Sequence, residues 1–105
     1  MLTKRFPIRL TYEDMIDVTL AFRDNTVKGF VLNYRAKIGD KWHDIYRVDT
    51  CHGYLHEQRF WRSPRPIKLP QTSTLKLMFD FFLEEIRNNH EKYKRYYKNA
   101  LQDGR

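Results

Sequence analysis

Apolar and polar residues alternate with a period of two through much of the first sixty positions, and a helical period replaces that pattern after residue 73. Ile16, Val18, Leu20 and Phe22 alternate with Asp17, Thr19, Ala21 and Arg23, rich in β-branched side chains, so a strand is read there over a helix, ended by a turn at Asp24-Asn25-Thr26. A second strand puts Phe30, Leu32, Tyr34, Ala36 and Ile38 on one side and Asn33, Arg35 and Lys37 on the other. Gly39-Asp40-Lys41 then turns the chain. A strict two-residue loop would set Leu32 against Arg47 and Phe30 against Asp49, so a three-residue loop is expected, pairing Ile38 with Trp42, Tyr34 with Tyr46 and Leu32 with Val48.

The third strand runs from about Trp42 to Cys51 into His52-Gly53, read as the two-residue loop of a hairpin, and Leu55 to Arg62 forms a poorly alternating edge strand. Pro64, Pro66 and Pro70 cannot donate to a ladder, so the sheet should end where they begin. Residues 1–13 fit no single pattern: Pro7 interrupts an extended stretch, and Thr11 to Asp14 offers a capping box for a helix. Thr72-Ser73-Thr74 supplies an N-cap for a long helix whose inward face is Leu75, Met78, Phe82, Ile86, Tyr93, Tyr97 and Leu101. A helix of about 28 residues spans roughly 42 Å and a ten-residue strand roughly 33 Å, so the helix should overhang the sheet.

The expected architecture is therefore a single α+β domain over 1–105. A four-stranded antiparallel meander in the order 1-2-3-4 (residues 14–62) leads through a basic, proline-rich connector (63–71) to a long C-terminal helix (73–101) packed on one face.

With 105 residues and sixteen aromatic side chains, the chain can bury one modest core without covalent staples. The single Cys51 excludes an internal disulfide, and Met1 to Pro7 does not read as a secretory leader, which favours a reducing cytoplasm. No apolar run approaches the roughly 20 residues of a membrane span, so no membrane association is expected. The net charge of +7 is lopsided. Residues 1–24 carry four bases and four acids, whereas Arg59 to Lys98 holds ten bases and four acids. Such a field attracts polyanions, nucleic acid or an acidic protein, although basic excess is also common on small domains.

The densest cluster of chemistry-bearing residues is Arg47-Val48-Asp49-Thr50-Cys51-His52-Gly53-Tyr54-Leu55-His56. If His52-Gly53 is the loop, His56 lies directly across from Asp49, with Arg47 on the same polar face. Asp49 would orient His56 as acid or base, His52 would be a second acid–base group, and Arg47 would hold a phosphate, a metal-independent arrangement for phosphodiester cleavage. The plainer alternative is a cross-strand stabiliser worth about 0.2–1 kcal/mol. Asp49, Cys51, His52 and His56 include zinc-ligand types, but their spacing lacks a second ligand pair, so neither a metal nor a cofactor is expected. Arg59, Arg62, Arg65 and Lys68 would track phosphates along the connector. Lys92, Lys94, Arg95 and Lys98, interleaved with Tyr96, would contact nucleic acid on the helix, unless that stretch is a solvated face whose tyrosines finish the core.

The run Lys41 to His56, followed later by Asn89-His90-Glu91-Lys92-Tyr93, resembles a group of small prokaryotic proteins related to the TumE-type toxins. In these an Arg-Tyr-Asp-x-x-His-Gly-x-x-His core lies on a hairpin and an Asn-Trp-x-x-Tyr-like stretch on a terminal helix. The match covers roughly residues 28–98 in general order, and the hairpin is its specific part. Arg47, Asp49, His52, Gly53 and His56 carry over. Val48 stands where Tyr is usual, His90 where Trp is usual, and Gln58 where a further histidine sometimes occurs. The resemblance implies a toxin–antitoxin role with a small DNA-binding antitoxin as partner. Together these readings give an RNA-directed, toxin-like protein, with a metal-independent ribonuclease as one form. The alternative is a non-enzymatic basic module binding nucleic acid or an acidic protein, and a homodimer through the edge strand is a third possibility.

Overall fold

The computed structural model describes residues 1–104, with the side chain of His52 outside the described part. Six strands, β1 (Leu2–Thr11), β2 (Asp14–Arg23), β3 (Thr26–Ile38), β4 (Lys41–Asp49), β5 (His56–Arg59) and β6 (Ile67–Lys68), pair antiparallel in chain order, and the helix α1 (Leu75–Gln102) follows. The α+β class and the sequential meander are those expected, but the sheet has six strands rather than four. Residues 1–13 contribute β1: Thr11 takes part in a turn, accepting the Glu13 N–H and donating to Asp14, and caps no helix. Beyond β5, the connector returns as β6, pairing Ile67 with Glu57 and Lys68 with His56, so β5 is internal to the sheet.

The β2–β3 loop is Asp24-Asn25, both at positive φ (52° and 63°), the backbone twist that suits a two-residue hairpin. The β3–β4 loop also has two residues, Gly39-Asp40, with Gly39 at φ 64°, where three were expected. Two of the three predicted pairs form, Tyr34 with Tyr46 and Leu32 with Val48, because a bulge at Ile45 shifts the register between Tyr34 and Arg35; the third does not, since on the loop side of the bulge Ile38 pairs with Lys41 and Trp42 with Lys37. The constraint that charge stay off the core face was sound, and the chain meets it inside the strand instead of in the loop.

The helix covers the face carrying Ile16, Val18, Phe30, Leu32, Tyr34, Tyr46 and Val48, with Met78, Phe79, Ile86 and Ala100 buried against it. Thr74 accepts the Leu77 N–H and caps its start. Leu101, expected inward, is exposed, and Ala100 takes its place. At 13 residues, β3 is as long as the helix, roughly 43 Å. No long overhang results, and Tyr93 and Tyr97 stay packed on β4 through Tyr46 and His43.

One buried polar network pins the helix to β2 and β3. Tyr34 Oη donates to Asp14 Oδ1 at 2.6 Å, Thr11 donates to the same carboxylate, and Lys94 Nζ lies 3.6 Å from it. Burial alone would raise the Asp14 carboxyl, but the bonds from Thr11 and Tyr34 and the charges of Lys94 and His90 outweigh it, leaving the group below its ordinary value. A carboxyl depressed in the folded state adds stability that is complete above its unfolded value and is lost as pH falls through the folded one. Asp14→Asn is therefore expected to be less stable than wild type at pH 7, with the gap narrowing below about pH 4. Urea midpoints at the two pH values check this; a gap that widens on acidification contradicts it.

Candidate functional site

Alternation along β4 and β5 sends neighbouring residues to opposite faces of the sheet. The β4–β5 register pairs Asp49 with His56 and Arg47 with Gln58, placing these on the face away from the helix, while Val48–Glu57 and Tyr46–Arg59 face the helix. Two polar sites result, back to back.

On the helix-free face Asp49 and His56 meet as their register implies, with His56 Nε2 2.6 Å from Asp49 Oδ1. Arg47 Nε donates to Oδ2 at 2.7 Å and the Cys51 N–H to Oδ1 at 2.9 Å. The Asp49 and His56 side chains are only 2% and 6% exposed. The His56 ring lies beside that of Tyr54, 5.2 Å between centroids, and Lys68 stands over Tyr54 from β6. The loop is not the bare two-residue hairpin expected: a 3₁₀ turn, Cys51–Gly53, intervenes, with Gly53 at φ 81°. Thr50 fastens it to β3, its N–H donating to the Phe30 carbonyl and its hydroxyl accepting the Phe30 N–H, and Gly29 leaves room for that hydroxyl, which would lie 3.0 Å from an added Cβ. The His52 side chain lies outside the described residues. Cys51 is exposed, and no group of three or more metal-ligand side chains is gathered among the described residues.

On the helix side, Arg59, Trp61 and Arg62 face Lys92, Tyr93, Tyr96 and Asn99 across an open cleft of about 560 Å³. Its floor is a run of rings: Tyr46 to Tyr93 at 5.1 Å, Tyr93 to Trp61 at 5.2 Å and nearly parallel, and Trp61 to Tyr96 at 5.7 Å. Trp61 is buried and Tyr96 is exposed, so the stack ends at solvent. Arg59 spends its Nε on Glu57 at 2.9 Å, one of five donors, while among the described residues Arg62 and Lys92 make no ion pair. Glu57 also accepts from Tyr46 Oη at 2.6 Å, and burial with that bond drives the Tyr46 hydroxyl far above its ordinary value.

The phosphate-binding residues expected from sequence therefore divide. Arg59 and Arg62 join Lys92 and Tyr96 in the cleft, Arg47 and Lys68 stay with His56 on the opposite face, and Arg65 is exposed in the connector. Arg95 and Lys98 are exposed on the helix, across from the cleft, lining a shallow depression with Asp14 and Glu91. Lys94, 16% exposed, is committed to Asp14 and Glu13 and belongs to the core network, contrary to its expected role as a nucleic-acid contact. Asn89-His90-Glu91-Lys92-Tyr93 faces partly inward: Asn89 bonds Glu85, and His90 meets Tyr34 edge-on at 6.0 Å. Trp61 and Asn99 were missed. The signal for Trp61 was present, a large aromatic between Arg59 and Arg62, but its position at a strand end hid which face it takes.

No curated protein and no solved structure matches the chain at a significant level. A family model described as "Domain of unknown function (DUF7718)" matches residues 1–103, and the chain belongs to that family.

Proposed function

We propose that the protein binds single-stranded nucleic acid in the cleft between β5 and the helix, as a non-enzymatic module. The observation that carries this reading is the run of rings from Tyr93 and Trp61, which stack, to exposed Tyr96, tilted against Trp61, rimmed by Arg59, Arg62 and Lys92 against one carboxylate, Asp103. Stacking on Tyr96 accepts any base, because every base has a π face, and the cations meet the backbone. The resemblance of the hairpin to TumE-type toxins would make a small antitoxin the protein partner, and the basic excess from Arg59 to Lys98 makes RNA the polymer of choice. Each phosphate contact on a single strand contributes roughly −0.7 to the slope of log K against log salt, so three cations give about −2. Titrating a fluorescein-labelled ten-residue oligouridylate from 50 to 300 mM NaCl measures this. Absence of binding at 50 mM, or a slope near zero, would refute the reading.

A second reading, a metal-independent ribonuclease acting through Asp49 and His56 with Arg47 on the phosphate, is favoured by the 2.6 Å contact between carboxylate and imidazole. Asp49 is already held by Arg47 Nε and the Cys51 N–H beside its contact with His56, and the imidazole is nearly covered, which describes an anchor of the turn better than a group awaiting substrate. The binding reading is therefore preferred.

A further inference from the structure

Beside the cleft lies a second depression of about 350 Å³, which shares Arg59 and Tyr93 with it. Leu69 and Pro70 of the connector and Met78, Phe81 and Phe82 of the helix give this depression apolar walls. Two carboxylates line it. Glu57 is satisfied by Tyr46 and Arg59, whereas Glu85 receives only Asn89 Nδ2, at 3.3 Å on Oε2, among the described residues. Tyr93 and Arg59 line both depressions, so the two carboxylates lie on one side of the shared wall and Arg62 and Lys92, with Asp103, on the other.

We infer that this depression takes one unstacked base of the bound strand and selects guanine, whose adjacent N1–H and N2–H₂ donors match the two oxygens of Glu85. The inference rests on the single-strand reading of the cleft. Leu69, Pro70, Met78, Phe81 and Phe82 offer a ring apolar contact, and a base whose backbone is held at Arg59 would enter beside Tyr93 with its phosphates left outside. Glu85 offers acceptors only. Adenine, cytosine and uracil each present a single donor position on that edge, so they leave one carboxylate oxygen unmatched. A uridine tract would bind through stacking and phosphate contacts alone.

The test compares decauridylate with three oligomers of equal length carrying one central G, A or C, each titrated against the full chain. The G oligomer is expected to bind about tenfold tighter than decauridylate, the scale of a bidentate base contact, with A and C within about twofold. In Glu85→Gln, where one oxygen becomes a donor, the G-to-U affinity ratio should fall to near one. Equal affinity of wild type for all four oligomers overturns guanine selection and leaves the cleft reading standing. Failure of every oligomer to bind overturns both. A G preference that persists unchanged in Glu85→Gln places selection elsewhere and also overturns the inference. The wild-type panel depends on no variant and is decisive even if Glu85→Gln fails to fold.

Discussion

Asp49→Ala is expected to destabilise the fold by about 3–5 kcal/mol, the cost of stranding buried charged and polar partners. The carboxylate is 2% exposed, accepts from Arg47 Nε and the Cys51 N–H, and lies 2.6 Å from His56 Nε2. Its removal leaves the imidazole facing a void and frees the 3₁₀ turn that links β4 to β5. Because β5 carries Glu57 and Arg59 on its other face, loosening this turn should also disturb the cleft. Urea denaturation followed by tryptophan fluorescence checks the figure, and a loss below 1 kcal/mol would show that the cluster is not an anchor. One consequence concerns the ribonuclease reading. Loss of RNA cleavage or toxicity in Asp49→Ala alone would report unfolding, so the informative comparison is wild type with a His56→Gln variant shown to be folded. Cleavage by wild type that His56→Gln abolishes would restore the catalytic reading.

Tyr96→Ala should weaken oligouridylate binding by about 1–3 kcal/mol, roughly five- to 150-fold, with the salt slope unchanged. The ring is 40% exposed and lies at the solvent end of the stack, so its removal costs the fold little. Arg62→Ala combined with Lys92→Ala should act on the other component, lowering the magnitude of the salt slope by about 1.4, the share of two phosphate contacts. These signatures separate stacking from charge. If the Tyr96 variant changed the slope and not the affinity at low salt, or if the double variant left the slope intact, the assigned roles would be wrong. Arg95 and Lys98 serve as the contrast. They lie across the helix from the cleft, so replacing both with alanine should affect binding less than replacing Arg62 and Lys92.

How far the sequence showed all this depends on whether each feature is local. The Asp49–His56 pairing was legible because the register of a hairpin follows from its turn and from keeping Tyr46 and Val48 inward. The same rule turns Glu57 and Arg59 toward the helix, which divides the basic run Arg59 to Lys68 between two faces of the sheet. The bulge at Ile45 is hidden because a three-residue loop and a two-residue loop with a bulge yield the same pairs from Tyr34–Tyr46 inward and differ only near the loop, where Ile38 meets Lys41 instead of Trp42. β1 was missed because Pro7 and the Thr11–Asp14 pattern suggested other structure, yet a proline is tolerated on an edge strand. β6 is two residues long, too short for any period to show. The ion pair of Lys94 is not legible in the sequence, because its partner Asp14 lies eighty positions away and only the packing of helix on sheet joins them. Trp61 reaches the cleft by the same long-range docking, onto Tyr93.

The most direct test of the cleft reading is photocrosslinking of a 4-thiouridine-substituted ten-residue RNA to the folded protein, followed by mapping of the modified peptides. Crosslinks should fall on the segments containing Trp61 and Tyr96. Crosslinks confined to Trp42 and Tyr54, the exposed aromatics of the opposite face, would contradict the account and move the interface to the Asp49–His56 side of the sheet.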